Sequence, residues 1–127
     1  MKLVEVPQPG GPDALVLGER PVPQPAAAEV QIKVAAAGVN RADILQRRGF
    51  YPSPAGAPPY PGLEVAGTIA AVGAGVTEFK AGDAVCALLQ GGGYAEYCCV
   101  DAGQVLPIPG SLDMIAAASL PEAMFTV

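Results

Sequence analysis

Fourteen prolines and sixteen glycines cut these 127 residues into short pieces, and that punctuation constrains the fold more than any other feature. Proline fixes φ and removes a backbone donor, while glycine opens turns closed to other residues. Between the breaks the chain reads mainly as short strands. "KLVEV" (Lys2 to Val6) reads as a strand stopped by "PQPGGP", and "ALVLGERPV" (Ala14 to Val22) as a second stopped by "PQP". "EVQIKVAAAGV" (Glu29 to Val39) sets Val30, Ile32 and Val34 against Glu29, Gln31 and Lys33, the two-residue period of a half-buried strand.

The period then changes. "NRADILQRRG" has Asn40 as N-cap, Asp43 in the first turn, Arg47 and Arg48 in the last, and Gly49 just beyond. That pattern predicts a short helix whose caps and charges suit its dipole. "FYPSPAGAPPYPG" is a proline-rich loop bracketed by Phe50, Tyr51 and Tyr60. "EVAGTIAAVGAGV" (Glu64 to Val76) predicts a bent strand of a small barrel. "KAGD" predicts a turn leading into a strand from Ala84 to Leu89, and "QGGG" a tight connection. "YAEYCCV" (Tyr94 to Val100) and "QVLPIP" read as further strands, so residues 1–110 predict a mostly antiparallel β-barrel with one short helix. "SLDMIAAASL" predicts a helix capped by Ser111, and "SLPEAMFTV" opens another with Ser119 and Glu122 at capping-box spacing and Pro121 in its first turn. A helix that starts and then stops at Val127 predicts further chain downstream.

Composition excludes several kinds of chemistry. A net charge of −5, with basic residues clustered only at Arg41, Arg47 and Arg48, argues against nucleic acid as a partner. No apolar run is long enough to span a bilayer, and "MKLVEVPQPGG" lacks the apolar core of a signal peptide, so a cytosolic location is expected. Histidine is absent, which removes His-based triads and His-containing zinc sites. The three cysteines, Cys86, Cys98 and Cys99, are expected as free thiols, the adjacent pair pointing to opposite strand faces. "GAGVTE" at Gly73 begins like a dinucleotide fingerprint but lacks the third glycine and the helix that must follow, and reads as a barrel turn. One carboxylate, Glu64, sits at the mouth of an apolar run, where burial demands a partner.

The stretches "VAAAGVNRADILQRRGFYP", "YPGLEVAGTIAAVGAGVTEFKAGDAV", "GGGYAEYCCV" and "SLPEAMFTV" together resemble the N-terminal catalytic domain of a medium-chain dehydrogenase/reductase, in the zinc-independent quinone oxidoreductase (zeta-crystallin-like) branch. The resemblance implies a GroES-like barrel over residues 1–110, a helical lead-in over 111–127, and a downstream Rossmann domain that binds NADPH. It implies reduction of a quinone or enone without zinc: Asn40 and Leu63 stand where zinc-dependent relatives carry a cysteine and a histidine. On the same resemblance Asn40, Asp43 and Tyr51 are catalytic, with Asn40, Tyr51 and Thr126 touching the nicotinamide. Gln46, on the helix face of Asn40 and Asp43, reaches the pocket. Glu64 accepts hydrogen bonds from backbone or a basic side chain. The resemblance also implies a homo-oligomer in full-length form. An alternative reading is a freestanding GroES-like binding or assembly module without catalysis.

Overall fold

The structure, a computed structural model, describes residues 1–50, 57–108 and 112–121. The regular elements among them are seven strands, two short α-helices and two single-turn 3-10 helices (Pro12–Ala14 and Ala102–Gln104): β1 (Lys2–Glu5), β2 (Val16–Glu19), β3 (Glu29–Ala37), α1 (Arg41–Arg47), β4 (Glu64–Val72), β5 (Ala84–Leu88), β6 (Tyr97–Asp101), β7 (Val105–Pro107) and α2 (Met114–Ala118). Five strands form one antiparallel sheet in the order β6-β3-β4-β5-β7, and β1 and β2 pair as a separate hairpin. The two sheets meet where Leu3 bridges Ala95, with Val4 N donating to Tyr94 O at 2.8 Å and Glu96 N to Lys2 O at 3.1 Å.

The main core lies on one side of the large sheet, where Val30, Ile32, Val65, Val85, Cys98 and Val100 interdigitate. On the other side a smaller cluster of Ala66, Cys86, Ala117 and Ala118 lets α2 pack closely against small side chains. β4 is therefore buried on both faces through Glu64, Val65, Ala66 and Gly67, which is why its sequence reads as a continuous apolar run rather than an alternation. β3 breaks its register with β4 at Gln31/Ile32 and again at Val34/Ala36, irregularities that bend a strand. Ile32 has no exposed surface, so Ile32→Val, which removes one methylene from a filled core, is expected to cost about 1 kcal/mol. In urea unfolding the midpoint should fall while the m-value stays unchanged.

Several sequence expectations need correction. The second strand spans only Val16–Glu19, because it pairs residue for residue with the four-residue β1 and Pro21 lies just beyond. Gln31, expected on the polar face of β3, is buried and donates from Nε2 to Pro23 O at 2.7 Å. The strand expected from Tyr94 begins at Tyr97, since Tyr94 turns its backbone toward Pro61 and Val4 instead. Helix α2 is capped by Asp113, whose Oδ1 accepts from Ala116 N at 2.7 Å; the expected cap, Ser111, lies outside the described residues, as does Glu122. The "GAGV" stretch is a turn after β4: at Gly73 a side chain would collide with the backbone carbonyls of Ala26 and Ala27. The "KAGD" turn closes through Lys80 N to Asp83 Oδ2 at 3.0 Å.

Candidate functional site

Helix α1 follows β3 through Gly38 and Val39, so its N-terminus lies beside the start of β4. Asn40 sits there in extended backbone conformation, and at the far end Gly49 adopts φ +87°, the left-handed stop that the sequence announced. Asp43 folds back on the helix start: its Oδ2 accepts from Asn40 N at 2.9 Å. This is the return half of a capping box, with aspartate in the place usually taken by glutamate or glutamine.

Asp43 does more than cap. Its Oδ1 accepts from Gly62 N at 3.3 Å, and Oδ2 also accepts from the Tyr94 hydroxyl at 2.8 Å. One buried carboxylate thus ties α1, the segment before β4, and the connection between β5 and β6. Three donors to one ion satisfy the charge that burial would otherwise penalise. The Tyr94 phenol is pushed well above its ordinary range, first by burial, then by its bond to Asp43 and the negative charges of Asp43 and Glu64.

Glu64, also buried, answers its own question locally. Its Oε1 accepts from Asn40 Nδ2 at 3.0 Å, so a carboxamide acts as donor where the sequence suggested backbone or a basic group. Gly38 makes room for this: a Cβ there would overlap the Glu64 carboxyl group. Asn40 is consequently held twice, by its backbone through Asp43 and by its side chain through Glu64. It remains half-buried, with the hydrocarbon of Leu63 buried two segments away at the entrance to β4.

Of the residues the sequence singled out, the structure brings together Asn40, Asp43 and Glu64. Gln46 lies one turn beyond Asp43 on α1 and donates from Nε2 to Pro59 O at 3.3 Å, which tethers the proline-rich segment to the helix. Tyr51 and Thr126 lie outside the described residues. Tyr94 is the residue that sequence reasoning missed; its only signal was a hydroxyl-bearing aromatic directly after three glycines. Tyr60, read as packing, lies under the Arg20 guanidinium, 5.5 Å from ring centroid to Cζ, while Arg20 Nε bonds Glu5 Oε1 at 2.6 Å. Those residues line a groove of about 180 Å³, and a second groove of about 590 Å³ is floored by Leu88, Leu89 and Val100; Asn40 and Asp43 line neither.

The donor set does not suit zinc. Among the described residues no three of His, Cys, Asp and Glu converge. Asn40 turns an N–H rather than a lone pair toward Glu64, and Leu63 offers no ligand atom. Among the described residues no helix is long and apolar enough to cross a membrane.

The five-stranded antiparallel sheet is backed by a short helix, and a polar cluster sits at the junction of β3, α1 and β4. The chain matches the alcohol dehydrogenase GroES-like domain over residues 26–110 and belongs to that family. It is similar to the quinone oxidoreductase of Lama guanicoe, with 41% identity over 99% of this chain and 39% of the relative. Among solved structures it is similar to human synaptic vesicle membrane protein VAT-1 homolog-like protein, with a TM-score of 0.90 and 30% identity over 99% of this chain and 40% of the other. It is also similar to Escherichia coli quinone oxidoreductase complexed with NADPH, with a TM-score of 0.83 and 34% identity over 94% of this chain and 38% of the other. The chain spans about 39% of the length of the curated quinone oxidoreductase it matches, corresponding to the N-terminal part.

Proposed function

We propose that this chain is the substrate-side domain of an NADPH-dependent quinone or enone oxidoreductase that works without zinc. The observation that carries the reading is the carboxamide of Asn40, fixed by Asp43 and Glu64 at the start of α1 where a metal-binding relative would need a thiolate. Similarity to quinone oxidoreductases, one of them solved with NADPH, supports the cofactor and substrate class.

On this reading NADPH, held mainly by a downstream domain, supplies a hydride to the conjugated acceptor. A quinone is already electron-poor, so the protein's task is orientation and hydrogen bonding to a carbonyl oxygen. Asn40 meets that task with the amide hydrogen not committed to Glu64. Glu64 holds the amide and Asp43 holds the Asn40 backbone, so less entropy is lost in ordering the group when ligand arrives. Gln46 ties Pro59 to α1 beside the site, and the family resemblance assigns Tyr51 and Thr126 to the substrate and nicotinamide.

The test is made in the full-length protein, with NADPH oxidation followed in the presence of a naphthoquinone. Activity should persist after exhaustive chelation, and Asn40→Ala should lower kcat/KM about tenfold, the worth of one oriented hydrogen bond near 1.4 kcal/mol. Activity that disappears on chelation and returns with zinc would overturn the zinc-free reading, and absence of quinone reduction would overturn the substrate class.

A further inference from the structure

Tyr94 is joined to the site by its side chain and fixed in place by its backbone. Its hydroxyl donates to Asp43 Oδ2 at 2.8 Å across 51 residues of sequence. Its N–H donates to Pro61 O at 3.1 Å, and its carbonyl accepts from Val4 N at 2.8 Å. The backbone is therefore anchored on both sides, to β1 and to the segment entering β4, and the phenol points from a fixed base.

A ring that served packing alone would leave its hydroxyl to water or to any nearby acceptor. Here the hydroxyl takes the same carboxylate oxygen that receives the backbone N–H of Asn40. With both donors in place Oδ2 is fixed between them, and the second oxygen is held by Gly62 N. Without the phenol, Asp43 keeps the helix start and Gly62 but loses its anchor to the β5–β6 connection. The carboxylate then holds α1 against the rest of the fold through Gly62 N alone, at 3.3 Å, and is freer to turn about that single tie. Burial and the Asp43 bond raise the phenol's pKa, so it remains a proton donor at every physiological pH.

We infer that Tyr94 is a positioning residue: through Asp43 it holds Asn40 in the orientation that receives the substrate carbonyl. The role deepens the proposed quinone site and rests on it. Tyr94 touches neither ligand nor cofactor in this account; its effect passes entirely through Asp43 to Asn40.

The prediction is a coupling rather than a simple loss. In the full-length protein Tyr94→Phe, which retains the ring, should lower kcat/KM for a naphthoquinone roughly fivefold while shifting Tm by only a few degrees. In the Asn40→Ala background the same substitution should change kcat/KM by less than about twofold, because the group it orients is gone. Losses that multiply across the two backgrounds, or a Tyr94→Phe enzyme equal to the parent, would overturn the inference. A second measurement does not depend on turnover. In ¹⁵N NMR of the 127-residue chain, the Asn40 side-chain amide should shift and gain mobility in Tyr94→Phe. An unchanged amide signal would overturn the inference whatever the kinetics show. If Asn40→Ala itself leaves the enzyme fully active, the proposed site fails, and the amide signal still decides whether Tyr94 orders Asn40.

Discussion

Asp43→Ala is expected to destabilise the fold by about 3 kcal/mol or more, and Asp43→Asn by about 2 kcal/mol despite its matching shape. The reason is the sign of the three partners. Asn40 N, Gly62 N and the Tyr94 hydroxyl are all donors, and all reach the same buried carboxylate. Alanine leaves three donors facing a small void. Asparagine offers one oxygen, so its NH2 must face at least one donor in either orientation. Tyr94→Phe removes a single donor and should cost about 1 kcal/mol, which places the order of stability as Tyr94→Phe above Asp43→Asn above Asp43→Ala. Equilibrium unfolding in urea of the three variants checks the ranking. An Asp43→Asn chain as stable as the parent would show that the carboxylate's charge and its second acceptor oxygen contribute nothing.

That cluster also marks how far the sequence could be read. Local signals were reliable: the strand at β3, the cap and charge order of α1, and the "KAGD" turn all come from residues within a few positions of one another, and the structure has them in place. Asn40 and Asp43 were legible as a helix start because an N-cap and a first-turn acid lie only three positions apart. Their other partners were not. Glu64 reaches Asn40 from 24 residues away, and Tyr94 reaches Asp43 from 51, distances that periodicity cannot bridge. Gln31 failed for a related reason. Its alternation was read correctly, but the segment carrying Pro23 covers the face that alternation assigned to solvent. The boundary of β2 was set by its partner's length, and the cap of α2 is Asp113, directly before its first residue Met114.

The cysteines show how burial shapes behaviour at high pH. Cys98 lies opposite Ile32 across the β3–β6 ladder and packs among Val30, Ile32 and Val100. Burial pushes its thiol from the usual 9.0 up to about 12, with a smaller contribution from Cys99. Cys99, on the half-exposed face, is raised to about 11 by burial and then by Glu29. Cys86 moves in the same direction, chiefly through burial. A raised thiol pKa means that above pH 9 the unfolded chain releases a proton that the folded chain keeps. The stabilisation is complete below pH 9 and is lost as pH climbs toward 12. Linkage sets the slope at about 1.4 kcal/mol per pH unit for one such group, so Cys98 alone should remove about 2 kcal/mol between pH 9 and pH 10.5. Tyr94 adds to the loss above pH 10, because burial, and then its bond to Asp43 and the charges of Asp43 and Glu64, disfavour its phenolate. Urea unfolding from pH 7.5 to 10.5 should show a plateau followed by a fall that begins near pH 9. In Cys98→Ala the plateau should be lower, because a buried sulfur is lost, and the fall shallower, because the thiol that drives it is gone. A profile flat to pH 10.5, or a fall equally steep in Cys98→Ala, would show that the thiol is hydrated in the folded state and that the sheet face between β3 and β6 is not closed to water.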